Sequence, residues 1–205
     1  MRSSSKTSKT DWARFRAMKD RDIKRTSEHP EADTRHIVRG IVRRGTVELN
    51  GMPLDALLRL YAEILEELRG RGVTRSTNNP VADYTEYVVA KSLKLTRTAN
   101  SERGHDAVDA QGHRYQIKGR RITARNPSTE LSAIRNLPQR PFDLLVAVVY
   151  RADFTIDYAG IVPHEVVSEL AKYVQHANAY RFLMKRSVLD DPRVTDVTST
   201  IISNM

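Results

Sequence analysis

Residues 105–119 read HDAVDAQGHRYQIKG and give the clearest indication of the fold. Two short segments of alternating polar and apolar residues, HDAVDA and RYQIKG, flank a turn that contains glycine, which predicts a β-hairpin. Side chains alternate between the two faces of a strand, so Gln116 and Lys118 share one face while Tyr115 and Ile117 share the other. The second strand of the hairpin therefore has one polar face and one apolar face.

The position of the turn decides which acid joins the polar face. A two-residue loop at 111–112 places Asp109 on that face, but well away from Lys118. A three-residue loop at 111–113 places Asp106 directly opposite Lys118. We predict the three-residue loop, because it brings an acid, an amide and a lysine together, and we keep Asp109 as the alternative acid.

Two helices are predicted before the hairpin. Apolar residues recur at helical spacing between Pro53 and Gly70, which predicts a helix with one buried face. The second helix begins at Asn79-Pro80, a capping residue followed by proline at the first helical position. Glu86 falls at the edge of the apolar arc of this second helix, where its carboxylate would lean over the sheet. A solvated surface glutamate is the alternative interpretation of Glu86.

The segments after the hairpin complete the predicted fold. Residues 142–150, FDLLVAVVY, form a nearly continuous apolar run, which is typical of a strand covered on both faces. The other predictions are a short helix at 129–136, a strand at 154–162, a helix at 163–173 and a last strand at 180–185. Together these elements predict an α/β fold in which a mixed, twisted sheet is flanked by helices.

The net charge of +9 is concentrated at one end of the chain. Residues 1–45 hold 13 Lys and Arg against 6 Asp and Glu. We interpret them as a basic, partly disordered N-terminal arm with a short amphipathic helix at 11–24, followed by one domain at 46–205. A basic arm is typical of proteins that contact phosphates, and a solvated tail is the alternative.

Composition excludes several classes of protein. The chain of 205 residues has no cysteine, which rules out disulfides, thiol nucleophiles and cysteine-based metal sites. It also has neither an apolar run of the length that spans a bilayer nor a secretory signal. We therefore expect a cytoplasmic protein without a membrane partner, in which any metal is bound by Asp, Glu, Gln or His.

The helix, the hairpin and the long apolar strand, in this order, resemble the PD-(D/E)xK nuclease superfamily, which has the restriction-endonuclease-like fold. The signature of that superfamily is an acid on a helix, an Asp that opens one strand, and (D/E/Q)xK on the next strand. The matching residues are Glu86, Asp106, Gln116 and Lys118. Gln in place of the second acid is similar to the Mrr-like branch, and His105 stands where the signature has proline.

The resemblance implies a metal-dependent nuclease that hydrolyses phosphodiester bonds in DNA, in restriction or defence, and that acts as a homodimer. The implied cofactor is Mg²⁺, with Mn²⁺ as a substitute, because oxygen atoms suit a hard cation. The implied ligands are Asp106, Gln116 and Glu86. Lys118 would orient or deprotonate the attacking water, or stabilise charge on the phosphate.

Two further basic residues follow the signature. Arg120 and Arg121 are predicted to hold flanking phosphates, and solvated charges at the end of a strand are the alternative. The alternative function for the whole chain is a non-catalytic nucleic-acid-binding or regulatory module on the same scaffold.

Overall fold

The computed structural model describes residues 49–98 and 104–205. The predicted arm, its helix at 11–24 and the domain boundary after residue 45 lie outside these ranges. The chain divides between residues 57 and 58 into two units. The second unit, 58–205, holds every described element apart from the first turn of the first helix.

The first predicted helix is present as α1, Leu54–Gly70, but its predicted buried face is wrong. None of its residues is buried, and the apolar Leu54, Leu58 and Tyr61 are 80%, 69% and 53% exposed. Helical spacing of apolar residues shows which side of a helix is suited to burial, but a partner is needed to cover that side.

The second predicted helix is confirmed as α2, Val81–Leu93. The side chain of Asn79 accepts a hydrogen bond from the Val81 N–H at 3.1 Å, which satisfies a backbone donor that the helix itself leaves unpaired. Val88 and Val89 are buried in the core.

Six strands form one mixed sheet in the order β1–β2–β3–β4–β5–β8. Their bounds are β1 Thr96–Arg97, β2 Ala107–Val108, β3 Arg114–Arg121, β4 Leu144–Tyr150, β5 Ile156–Pro163 and β8 Thr195–Asp196. Strands β3 and β4 are parallel, and the other neighbouring strands are antiparallel. The coarse prediction of a mixed α/β fold with flanking helices is thereby confirmed.

The remaining elements are short. Helix α3 is His164–Leu170 and helix α4 is Thr198–Ser203, while β6 Lys172–Val174 and β7 Ala179–Arg181 form a separate two-stranded sheet. Single 3₁₀ turns lie at Leu137–Gln139, Gln175–Ala177 and Arg186–Asp190. None of the described helices has the length and apolar character needed to cross a membrane.

Strand β4 separates two hydrophobic cores. Its residues from Leu145 to Tyr150 are completely buried, which confirms the strand predicted to be covered on both faces. Val146, Val148 and Tyr150 pack with α2 on one side. The alternating residues of β4 pack on the other side with a second cluster that includes Phe142 and Phe182.

Three predictions after the hairpin are wrong in whole or in part. The helix predicted at 163–173 ends at Leu170, and Lys172 and Tyr173 belong to β6. Residues 129–136 form no helix; Glu130 and Ile134 instead make isolated β-bridges to Leu183 and Tyr180. Leu131 and Ile134 are buried in the second core, so pairing with a distant segment outweighs a weak local preference for helix. The strand predicted at 180–185 is reduced to β7, and β8 follows it, so it is not the last strand.

The hairpin is present, but its predicted register is wrong by two residues. Ala107 pairs with Tyr115, and Asp106 consequently lies opposite Gln116 instead of Lys118. The loop has three residues, as predicted, but they are 110–112 and not 111–113. Because side chains alternate with a period of two, this shift leaves every side chain on its predicted face.

The turn residues explain the position of the loop. Gly112 occupies the last loop position with φ +86°, a left-handed conformation that suits glycine. The carboxylate of Asp109 accepts hydrogen bonds from the N–H groups of Gln111 and His113, both at 2.9 Å. Asp109 therefore closes the turn, as aspartate commonly does in tight turns.

Candidate active site

Asp106 directly precedes the short strand β2, which covers only part of the edge of β3. Strand β2 pairs with β3 only at Arg114 and Tyr115, so it does not continue along the rest of β3. At the next position on that side, the N–H of Ile117 donates to Oδ2 of Asp106 at 2.6 Å. The carboxylate of Asp106 thus takes the place of a neighbouring strand, and this fixes its position beside β3.

The side chain of Gln116, on the polar face of β3, forms a hydrogen bond with the same carboxylate. Its amide Nε2 donates to Oδ2 of Asp106 at 2.5 Å. Within the described ranges, Oδ1 of Asp106 and Oε1 of Gln116 accept no hydrogen bond. The hydrogen bond between the two side chains therefore leaves one oxygen atom of each side chain available as an acceptor, and a hard cation such as Mg²⁺ prefers such oxygen ligands.

Helix α2 packs unusually close to β3 because residue 119 is glycine. A Cβ atom on Gly119 would lie 2.0 Å from Oγ1 and 3.0 Å from Cβ of Thr85. Such distances are far shorter than normal contacts, so no larger residue fits without displacing the helix. Glu86 follows Thr85 in the helix, and the close packing brings it to the edge of β3.

Glu86 is an enclosed carboxylate with a charged partner. Its side chain is 15% exposed, and it forms an ion pair with the guanidinium of Arg75. Burial and the nearby charge of Asp106 raise the pKa of Glu86, while Arg75 opposes this shift. Glu86 and Asp106 are thus close enough to affect each other electrostatically.

Lys118 lies on the face of β3 opposite α2. Its Nζ donates to Oγ of Ser132 at 2.9 Å. Burial lowers the pKa of the Lys118 ammonium, and the charges of Asp106 and Glu86 act in the opposite direction. The lysine therefore lies within electrostatic range of both carboxylates.

The four residues of the predicted signature, Glu86, Asp106, Gln116 and Lys118, are thus brought together at one edge of β3. The alternative acid, Asp109, is engaged in the hairpin turn and bonds the ring of His113 at 2.8 Å. Its carboxylate serves the turn and does not take part in the cluster.

The two arginines that follow the signature lie on opposite faces of β3. Arg120 shares the face of Lys118 and donates to the Ser128 carbonyl at 2.7 Å. Arg121 lies on the other face, where it donates to the Ala152 carbonyl and covers the ring of Phe154 at 4.6 Å. Of the pair, only Arg120 is placed on the same side of the sheet as Lys118.

The sequence did not predict the contact of Arg75 with Glu86. Arg75 lies in the loop between α1 and α2, which the carboxylate of Asp83 holds by accepting hydrogen bonds from the N–H groups of Arg75 and Ser76 at 2.9 and 2.8 Å. A single arginine in a polar loop carries no periodic or motif signal. Its contact with Glu86 depends on the tertiary structure alone.

The available donors limit the kind of cation that fits. Within residues 49–98 and 104–205, no three side chains of His, Cys, Asp or Glu form a group suited to a metal. A ligand set here would combine the carboxylates of Glu86 and Asp106 with the amide of Gln116. This all-oxygen set suits Mg²⁺ or Mn²⁺ and does not suit a thiophilic metal.

The sequence matches no family model, and a search of curated proteins finds no significant match.

Proposed function

We propose that this protein is a metal-dependent nuclease that hydrolyses phosphodiester bonds in DNA, on a restriction-endonuclease-like fold. One observation carries the proposal: two carboxylates, an amide and a lysine with a lowered pKa converge at the edge of β3. Perturbed titratable groups that share a site are typical of catalytic centres. The participating residues are Glu86, Asp106, Gln116 and Lys118.

The chemistry of the reaction assigns a role to each group. Asp106, Gln116 and Glu86 would hold Mg²⁺, or Mn²⁺ in its place. The bound cation supplies Lewis acidity, which stabilises charge on phosphate and acidifies water. Lys118, held by Ser132, would place its Nζ near the attacking water and the phosphate, and the lowered pKa makes its ammonium a stronger acid than that of an exposed lysine.

The charge of the protein supports a nucleic-acid substrate. A net charge of +9 attracts polyanions, and most of the excess lies in residues 1–45. Arg120 lies on the same face as Lys118 and would contact a flanking phosphate. Two copies of the chain would cut the two strands of a duplex, so we propose a homodimer.

The ion pair between Arg75 and Glu86 favours a second candidate, a non-catalytic nucleic-acid-binding or regulatory module. A carboxylate that already has an arginine partner has less need for a cation. In this alternative the cluster stabilises the edge of the sheet, and the basic arm binds the nucleic acid.

A cleavage assay separates the two candidates. Supercoiled and linear duplex DNA are incubated with the purified protein in Mg²⁺, Mn²⁺ or EDTA, beside Lys118→Ala and the matched control Lys185→Ala, which alters an exposed lysine. We expect cleavage that needs the metal, disappears in Lys118→Ala and persists in Lys185→Ala. DNA that is bound but not cut in any metal would favour the second candidate.

A further inference from the structure

The guanidinium of Arg75 forms an ion pair with the carboxylate of Glu86. One Nη atom pairs with Glu86, and the other donates to the carbonyl of Thr98 at 3.0 Å. The side chains of Arg75 and Glu86 are only 26% and 15% exposed, so this ion pair is largely shielded from water. A charge pair in such surroundings is stronger than one on the surface and is costly to leave half broken.

The backbone of Arg75 is held firmly while its side chain is incompletely satisfied. The carboxylate of Asp83 fixes the backbone N–H of Arg75 and both the N–H and the Oγ of Ser76. In contrast, Nε of Arg75 is buried without a partner among the described residues. Buried donors without acceptors are uncommon, so the guanidinium has capacity for a further acceptor.

We propose that Arg75 competes with the divalent cation for Glu86, and that it turns to a substrate phosphate when the cation binds. This inference rests on the proposed nuclease function. A guanidinium and a divalent cation at the same carboxylate repel each other, whereas a phosphodiester offers the guanidinium a bidentate partner. The site would therefore take up cation and phosphate together more readily than the cation alone.

The first test measures Mn²⁺ affinity without nucleic acid, by electron paramagnetic resonance of free Mn²⁺. The variants are Arg75→Gln and the matched control Arg71→Gln, which removes the same charge four residues earlier, where Arg71 pairs with the exposed Glu67. We expect Arg75→Gln to bind Mn²⁺ about tenfold more tightly than the unchanged protein, a typical coupling between ligands. Arg71→Gln should show the unchanged affinity.

A second variant, Arg75→Lys, keeps the proposal testable if Arg75→Gln does not fold. Arg75→Lys keeps the charge but loses the planar fork that spans Glu86 and Thr98, so its Mn²⁺ affinity should lie between those of the unchanged protein and Arg75→Gln. Circular dichroism and the Tm of each variant report whether it folds. If Arg75→Gln does not fold, tighter binding by Arg75→Lys supports the proposal, and equal or weaker binding overturns it.

A third measurement concerns the phosphate. In the Lys118→Ala background, which we expect not to cut, duplex DNA should tighten Mn²⁺ binding, and it should do so by a smaller factor when Arg75→Gln is added. If DNA tightens Mn²⁺ binding by the same factor with and without Arg75→Gln, the proposed transfer of Arg75 to phosphate is overturned.

The two proposals fail in different ways. Equal Mn²⁺ affinity in Arg75→Gln and the unchanged protein, with cleavage intact, overturns the role of Arg75 and leaves the nuclease standing. Absence of both Mn²⁺ binding and cleavage in every variant overturns the nuclease itself.

Discussion

The backbone N–H of Ile117 donates a hydrogen bond to the carboxylate of Asp106, so one side chain continues the sheet where strand β2 has ended. An unpaired strand edge leaves backbone groups without partners. Asp106 therefore has a structural contact in addition to the catalytic contact that we propose for it. Substitutions that preserve one contact and remove the other separate these two roles.

Asp106→Asn keeps an oxygen that accepts the Ile117 N–H but loses the negative charge. We expect it to abolish cleavage while the free energy of unfolding stays close to that of the unchanged protein. Asp106→Ala loses the acceptor as well, and should lower the free energy of unfolding by about 1–2 kcal/mol. Urea unfolding and the DNA cleavage assay measure the two effects. Asp109→Asn is the control and should cut DNA normally, since Asp109 serves the hairpin turn.

Lys118→Met should stabilise the protein at neutral pH, because burial lowers the pKa of the lysine in the folded state. An ammonium whose pKa is lowered by folding destabilises the folded state at every pH below its folded-state pKa. The penalty disappears as the pH rises from that value to the unfolded-state pKa of about 10.4. The gain in the free energy of unfolding should thus be largest at pH 7 and shrink towards pH 10, as measured by urea unfolding at several pH values.

The exposed Lys185 provides the comparison for Lys118. Lys185→Met should change the free energy of unfolding little at any of these pH values. A gain for Lys118→Met that stays constant up to pH 10 would show that the lysine is not destabilised by burial.

Gly119→Ala should lower the free energy of unfolding by about 1–3 kcal/mol, a typical cost of overpacking. The added methyl group would meet Thr85 and force α2 away from β3. Removing the Thr85 hydroxyl in the double variant Gly119→Ala, Thr85→Ala should recover part of the loss. Gly70→Ala is the control, because a Cβ there has no neighbour within 4 Å. Thermal unfolding of the unchanged protein and of these three variants measures the effect. An unchanged Tm in Gly119→Ala would contradict the close packing of α2 on β3.

Asp143→Ala should lower the free energy of unfolding at pH 7 by about 1–2 kcal/mol. The Asp143 carboxylate accepts hydrogen bonds from the backbone N–H of Arg114 at 2.9 Å and from its guanidinium at 3.0 Å, which ties β3 to β4. The hydrogen bonds from Arg114 lower the pKa of Asp143 to about 2.

The sign of the pH dependence follows from that shift. A carboxyl whose pKa is lowered by folding stabilises the protein above its unfolded-state pKa near 4, and the contribution is lost as the pH falls through about 2. The difference between Asp143→Ala and the unchanged protein should therefore shrink between pH 5 and pH 2 in urea titrations. Glu165→Ala is the control, since Glu165 pairs with Arg140 at an exposed site and such pairs contribute little.

The parts of the fold that were predictable carry strong local signals. Helix α2 directly follows Asn79-Pro80, with proline one position earlier than predicted, at the N-cap. Strand β4 is a continuous apolar run, which an amphipathic element would not show. The polar face of β3 follows from the period of two, and because of that period the error in register leaves Asp106 on its predicted face. Gln116 and Lys118 remained on one face although the loop was misplaced.

The parts that were not predictable depend on distant partners. Residues 129–136 pair with a segment about fifty residues later, and the apolar face of α1 stays exposed although its spacing suited burial. Arg75 meets Glu86 because Asp83 shapes the loop between the helices. None of these contacts has a signature within a short window of sequence.

The cluster takes Glu86 from the helix on one face of the sheet and Lys118 from the opposite face, where Ser132 holds it. The cluster therefore takes side chains from both sides of the sheet, and neither side alone supplies the full set. A chain that has folded only one of its two layers has no complete cluster. Any chemistry that needs all four side chains therefore requires both layers to be packed on the sheet.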